Sequence, residues 1–146
     1  MPTTIPVRDP ACVPEPTSRT ARTARSTRIL LVEDEPLTAE VFARALTRAG
    51  HVVDVARDGL QALRRLRENT PSVVVLDMSL PALSGADVVR ALREAGLASL
   101  PVVVVSGSDQ RQCALTDREL EPGVWLTKPV KPRDLVAIVR GLTNTL

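Results

Sequence analysis

Val73-Val74-Val75-Leu76-Asp77 is a run of apolar, mostly β-branched residues that stops at a carboxylate. A strand without polar alternation is one covered on both faces, the mark of a parallel sheet, and its last residue then stands at a carboxyl end. Outward from it, Ile29-Leu30-Leu31-Val32 runs into Glu33-Asp34, Val102-Val103-Val104-Val105 into Ser106, and Val124-Trp125-Leu126-Thr127 into Lys128. In open α/β sheets the ligand crevice lies outside the carboxyl ends of the strands, where the strand order reverses. Glu33, Asp34, Asp77, Ser106 and Lys128 are therefore expected to share one crevice.

Between these runs the pattern alternates strand and helix. Pro36 suits the first turn of a helix with Thr38, Val41, Phe42, Ala45, Leu46 and Ala49 on one face, stopped by Gly50. Val52-Val53-Asp54-Val55 carries a charge inside it, which fits an edge strand. Asp58 caps a helix with Leu60, Leu63 and Leu66 inward, and Ser84 caps one bearing Val88, Val89 and Leu92, ended by Gly96. Asp109 to Glu121 reads as the weakest helix, polar on most faces, and Pro132 opens the last, with Leu135, Ile138, Val139 and Leu142 at helical spacing. His51, between helix and edge strand, reads as an exposed linker residue. Residues 28–146 are thus predicted to form one doubly wound α/β domain with five parallel strands in the order 2-1-3-4-5.

A chain of 146 residues is long enough for a core without disulfides, and its two cysteines, Cys12 and Cys113, suit a reducing cytoplasm. No apolar stretch approaches the roughly 20 residues that span a bilayer, so no membrane insertion is expected. The formal net charge of +2 is already accounted for by Arg8, Arg19, Arg22 and Arg25 against Asp9 and Glu15. The remainder is neutral, which gives composition no case for direct nucleic-acid binding. Residues 1–27, rich in Pro, Thr and Arg, lack the apolar surface to offset ordering entropy and read as a disordered leader. Lys128 and Lys131 are the only lysines in an arginine-rich chain, so a lysine at a strand end suggests a need for a compact ammonium charge.

Three carboxylates in one crevice, Glu33, Asp34 and Asp77, raise each other's pKa unless a cation sits among them. Hard oxygen ligands with no nearby His or Cys favour Mg²⁺, which binds through one or two carboxylates, keeps several waters and takes a phosphate oxygen. A carboxylate can itself be the nucleophile in phosphoryl transfer, giving an aspartyl-phosphate. Asp77, in the middle strand, is the best placed attacker, with Lys128 and the Ser106 hydroxyl available to neutralise the charge spread over the phosphoryl oxygens.

These residues resemble the receiver domain of two-component response regulators, over about residues 28–146. Arg28-Ile29-Leu30-Leu31-Val32-Glu33-Asp34-Glu35-Pro36 resembles its opening acidic motif, and Leu76-Asp77-Met78-Ser79-Leu80-Pro81-Ala82-Leu83-Ser84-Gly85 its acceptor loop. Val105-Ser106-Gly107 and Leu126-Thr127-Lys128-Pro129 complete the set in order. The resemblance implies a flavodoxin-like fold, Asp77 as phosphoacceptor, and Mg²⁺ held by Asp34, Asp77 and the backbone carbonyl of Ser79, with Glu33 acting through bound water. It also implies that Ser106 and Trp125 form the switch and that the bond before Pro129 is cis. The family usually has Tyr or Phe where Trp125 stands, so inward rotation of this bulkier ring is expected to be restricted.

The function so implied is that of a single-domain, cytoplasmic response regulator. It accepts a phosphoryl group from the phosphohistidine of a sensor histidine kinase or phosphotransfer protein onto Asp77 and signals to a downstream protein target, as a monomer or a phosphorylation-dependent dimer. Any catalysis is self-directed phosphotransfer and autodephosphorylation rather than metabolic turnover. The alternative is a receiver-like interaction module that works without phosphorylation. A hydrolase of the haloacid dehalogenase kind needs a second Asp two residues after the first, where this chain has Ser79.

Overall fold

The computed structural model describes residues 27–107 and 115–144. Its strands are β1 (Arg28–Val32), β2 (Val52–Ala56), β3 (Val73–Asp77), β4 (Val102–Ser106) and β5 (Gly123–Thr127), and its helices are α1 (Pro36–Arg48), α2 (Gly59–Glu68), α3 (Gly85–Glu94), α4 (Asp117–Leu120) and α5 (Pro132–Asn144). The sheet is parallel, as the valine runs predict, and has the expected order β2-β1-β3-β4-β5. The leader up to residue 26, both cysteines and residues 109–114 of the expected weak helix lie outside the described residues.

Handedness distributes the helices. The step from β1 to β2 runs one way across the sheet and those from β2 to β3, β3 to β4 and β4 to β5 run the other, so right-handed crossovers put α1 on one face and α2, α3 and α4 on the opposite one. The alternating side chains follow. Ile29, Leu31, Val73, Val75, Val103 and Val105 pack with Phe42, Leu46, Leu135 and Val139 of α1 and α5. Leu30, Val32, Val74, Leu76, Val102 and Val104 pack with Ala62, Leu66, Val88, Val89, Leu92 and Leu120 of α2 to α4. β3 and β4 are buried throughout, each Val or Leu side chain there contributing about 1.5–3 kcal/mol by leaving water.

Local signals set the helix ends. Pro36 occupies the first turn of α1, the Asp58 side chain accepts from Gln61 N, and the Ser84 side chain accepts from Asp87 N. Gly50 and Gly96 take φ of 103° and 91°, the left-handed conformation that ends α1 and α3. Three expectations are corrected. Val41 and Leu60 are exposed, 50% and 57%, because Ala39, Phe42 and Leu46 form the inward stripe of α1, and Ala62 and Leu66 that of α2. The described part of the weak helix is the single turn of α4, preceded by non-helical Leu115 and Thr116 and followed by Glu121 as its cap.

His51 is the third: it is buried rather than an exposed linker. Its N–H donates to Leu46 O at 3.2 Å while Gly50 N–H donates to Thr47 O at 3.0 Å, a pairing that turns the residue after the glycine back onto the helix. Burial, and the nearby Arg140 charge, push its imidazole pKa down, which favours the neutral ring.

Candidate functional site

Strand register brings the five expected residues to one edge. Val32 pairs with Leu76, Asp77 with Val105 and Ser106 with Thr127, so Glu33, Asp77, Ser106 and Lys128 leave or end their strands at nearly the same level. Ligand oxygens of Glu33, Asp34 and Asp77 lie within 4.8 Å of one another. Lys128 Nζ approaches Asp77 Oδ2 at 3.5 Å, and Lys128 N–H donates to Ser106 O at 2.7 Å, which ties the exit of β5 to the end of β4. Glu33, Asp77 and Ser106 are buried, whereas Asp34 is exposed and Lys128 stays in contact with solvent. The Lys128-Pro129 bond is cis, as the resemblance implied.

Backbone groups that no sequence pattern names complete the pocket. Ser79 N–H donates to Asp77 Oδ1 at 3.0 Å, orienting the carboxylate, and Glu35 N–H donates to Glu33 Oε2 at 3.2 Å. Glu33 N–H is itself held by Ala56 O of β2 at 2.9 Å. The loop after Asp77 is drawn tight, with Ala82 at φ 69°, a left-handed backbone that costs a side chain about 1 kcal/mol. Gly85 then sits directly against the end of β3: a Cβ there would meet Asp77 O and Met78 Cα, each at 2.8 Å. Gly85→Ala is expected to destabilise the domain by about 2 kcal/mol and to shift the Asp77 and Ser79 amide resonances, because backbone must move to admit the methyl.

Glu33 carries the strongest electrostatic signature. Burial, then the adjacent Asp77 charge and a hydrogen bond shared with it, push its pKa from 4.5 up to about 7, and the Glu35 N–H and Lys128 offset this only in part. The folded metal-free chain thus binds a proton that the unfolded chain releases near pH 4.5. Stability contributed by that proton is complete below this value and is lost as pH rises through about 7. Thermal unfolding in chelator should show the midpoint falling between pH 5 and pH 8, and Glu33→Gln should flatten that slope.

A family model of the response regulator receiver domain matches residues 29–140. This chain belongs to that family. The receiver domain is similar to the alkaline phosphatase synthesis transcriptional regulatory protein SphR of Synechococcus elongatus, 37% identical over 126 residues, covering 80% of this chain and 49% of that protein. It is equally similar to the DNA-binding response regulator MtrA of Mycolicibacterium smegmatis, 37% identical over 114 residues, covering 78% of this chain and 49% of that one. The receiver thus spans about half the length of the curated relatives it matches. Among solved structures it resembles the receiver domain of the Francisella response regulator 1452, with a TM-score of 0.73 at 26% identity over 82% of this chain and 98% of that one. No helix of the receiver is long and apolar enough to cross a membrane, among the described residues.

Proposed function

We propose that Asp77 accepts a phosphoryl group from the phosphohistidine of a sensor histidine kinase or phosphotransfer protein, and that the resulting charge is the signal. The observation that supports this best is a buried carboxylate held between an acid pair and an ammonium: Asp77 lies among Glu33 and Asp34 on one side, with Lys128 Nζ 3.5 Å away on the other. An Asp77 oxygen attacks phosphorus, the P–N bond breaks, and its electron pair returns to the imidazole nitrogen of the donor. Lys128 balances one of the oxygens over which charge spreads, and the Ser106 hydroxyl donates to another.

The acid trio fits Mg²⁺. Its donors are hard oxygens, and burial together with the adjacent Asp77 charge already disfavours a bare Glu33 carboxylate there. Asp34, Asp77 and the Ser79 carbonyl would hold the ion, with Glu33 acting through water. When bound, Mg²⁺ supplies positive charge to a phosphoryl oxygen. Ser106 and Trp125 relay the change toward α4, β5 and α5, where a downstream protein target reads it, by a monomer or by a phosphorylation-dependent dimer, in the cytoplasm. DNA-binding relatives make an output through DNA a further proposal for any longer polypeptide containing this receiver.

Incubation with phosphoramidate and Mg²⁺ should yield a singly phosphorylated chain whose label is released by hydroxylamine, as an acyl phosphate requires. Chelator should prevent labelling. A protein that takes up no phosphoryl group under these conditions is instead the interaction module that works without phosphorylation.

A further inference from the structure

α4 is one turn of four residues, far below the length at which a helix sustains itself in water. Its capping box, Thr116 with Glu119, closes the turn but does not place it. Leu120 packs into the core, and hydrogen bonds from α3 add to that placement. Arg90 Nε donates to Glu119 Oε2 at 2.9 Å, and Arg93 Nε and Nη2 donate to Glu119 O and Leu120 O at 3.0 and 2.8 Å. The other arm of the same guanidinium, Nη1, donates to Leu97 O and Leu100 O at 2.9 and 2.7 Å, at the entrance to β4. At its opposite end α3 has no slack: Gly85 N–H donates to Met78 O at 3.2 Å, and the missing Cβ would collide with the Asp77 carbonyl. Between these ends run ten residues of hydrogen-bonded helix, about 15 Å of stiff rod.

We infer that α3 is a mechanical link that couples the loop following Asp77 to the order and position of α4, separate from the route through Ser106 and Trp125. One end of the rod moves with the acceptor loop, and the other carries the two arginines on which the α4 turn depends. The inference rests on the phosphoacceptor reading for what displaces the loop, while the coupling itself belongs to the resting chain and is measurable without any phosphoryl group.

Amide hydrogen exchange in the intact chain tests both parts. Leu120 and Glu121 N–H donate within the turn, to Thr116 O at 3.2 Å and Asp117 O at 3.0 Å, and report its opening. Ser84→Ala removes the cap at the acceptor end of α3 and should speed exchange at both amides about threefold or more. In an Arg90→Gln background, which starts faster, the same substitution should add half that increment or less. Unchanged exchange at Leu120 and Glu121 in Ser84→Ala, or effects of the two substitutions that simply multiply, would overturn the link. With beryllofluoride and Mg²⁺, Ser106→Ala should retain a response at Leu120 that Ser106→Ala/Arg90→Gln loses, and equal responses in the two would also overturn it. A wild-type chain whose Ser79 amide ignores beryllofluoride sinks the phosphoacceptor reading instead, and the Ser84 comparison still decides the link.

Discussion

Asp77→Asn is expected to bring phosphoryl incorporation to background while leaving a folded domain. The amide matches the carboxylate in shape and can still accept from Ser79 N–H, so the loop geometry survives, but its oxygen is a poor nucleophile and carries no charge. Loss of the Asp77 charge also removes one of the two largest causes that push Glu33 upward. The variant should therefore titrate Glu33 at lower pH, and its metal-free stability should vary less between pH 5 and pH 8. Breaking the Lys128 contact costs little in return, since that ammonium keeps solvent. Phosphoramidate labelling, read by intact mass, with a chelated thermal melt at both pH values, checks the two consequences together. Residual labelling near the wild-type level would place the acceptor elsewhere.

Arg93→Ala should be strongly destabilising although the residue lies outside both the pocket and the core, at about 3 kcal/mol, or a fall in Tm of roughly 10 °C. The guanidinium reaches carbonyls of Leu97, Leu100, Glu119, Leu120 and Pro122, so truncation strips hydrogen bonds from the loops before β4 and before β5 at once. Burial lowers its pKa without threatening its charge. Arg93→Lys keeps that charge but cannot span two loops with one planar fork, and should recover less than half of the loss. Urea unfolding of the three proteins measures it. Near-identical midpoints would mean that water replaces those bonds without cost.

Which residues were legible follows from where each property resides. The valine runs, Asp54 on an edge strand, the proline and side-chain caps and the polar residue after each strand are local, and they led directly to the sheet order and to the crevice residues. His51 could have been read better, because the residue directly after a helix stop at Gly50 commonly folds back onto the last turn. Val41 and Leu60 could not. Which arc of an amphipathic helix meets the sheet depends on how that helix lies across it, and both residues fall outside the buried stripe.

Arg93 was invisible for another reason: its partners are backbone carbonyls, which every residue has, up to 29 positions away. The chain's own order of apolar runs and terminal polar groups determined the doubly wound fold and the membership of the acidic pocket, since strand burial and carboxyl-end placement are consequences of pattern. Only the tertiary structure decided that Glu33 holds a proton to about pH 7 and that α4 hangs from α3. The first depends on desolvation and both on the distance between segments far apart in the chain, which is set only once the sheet has formed.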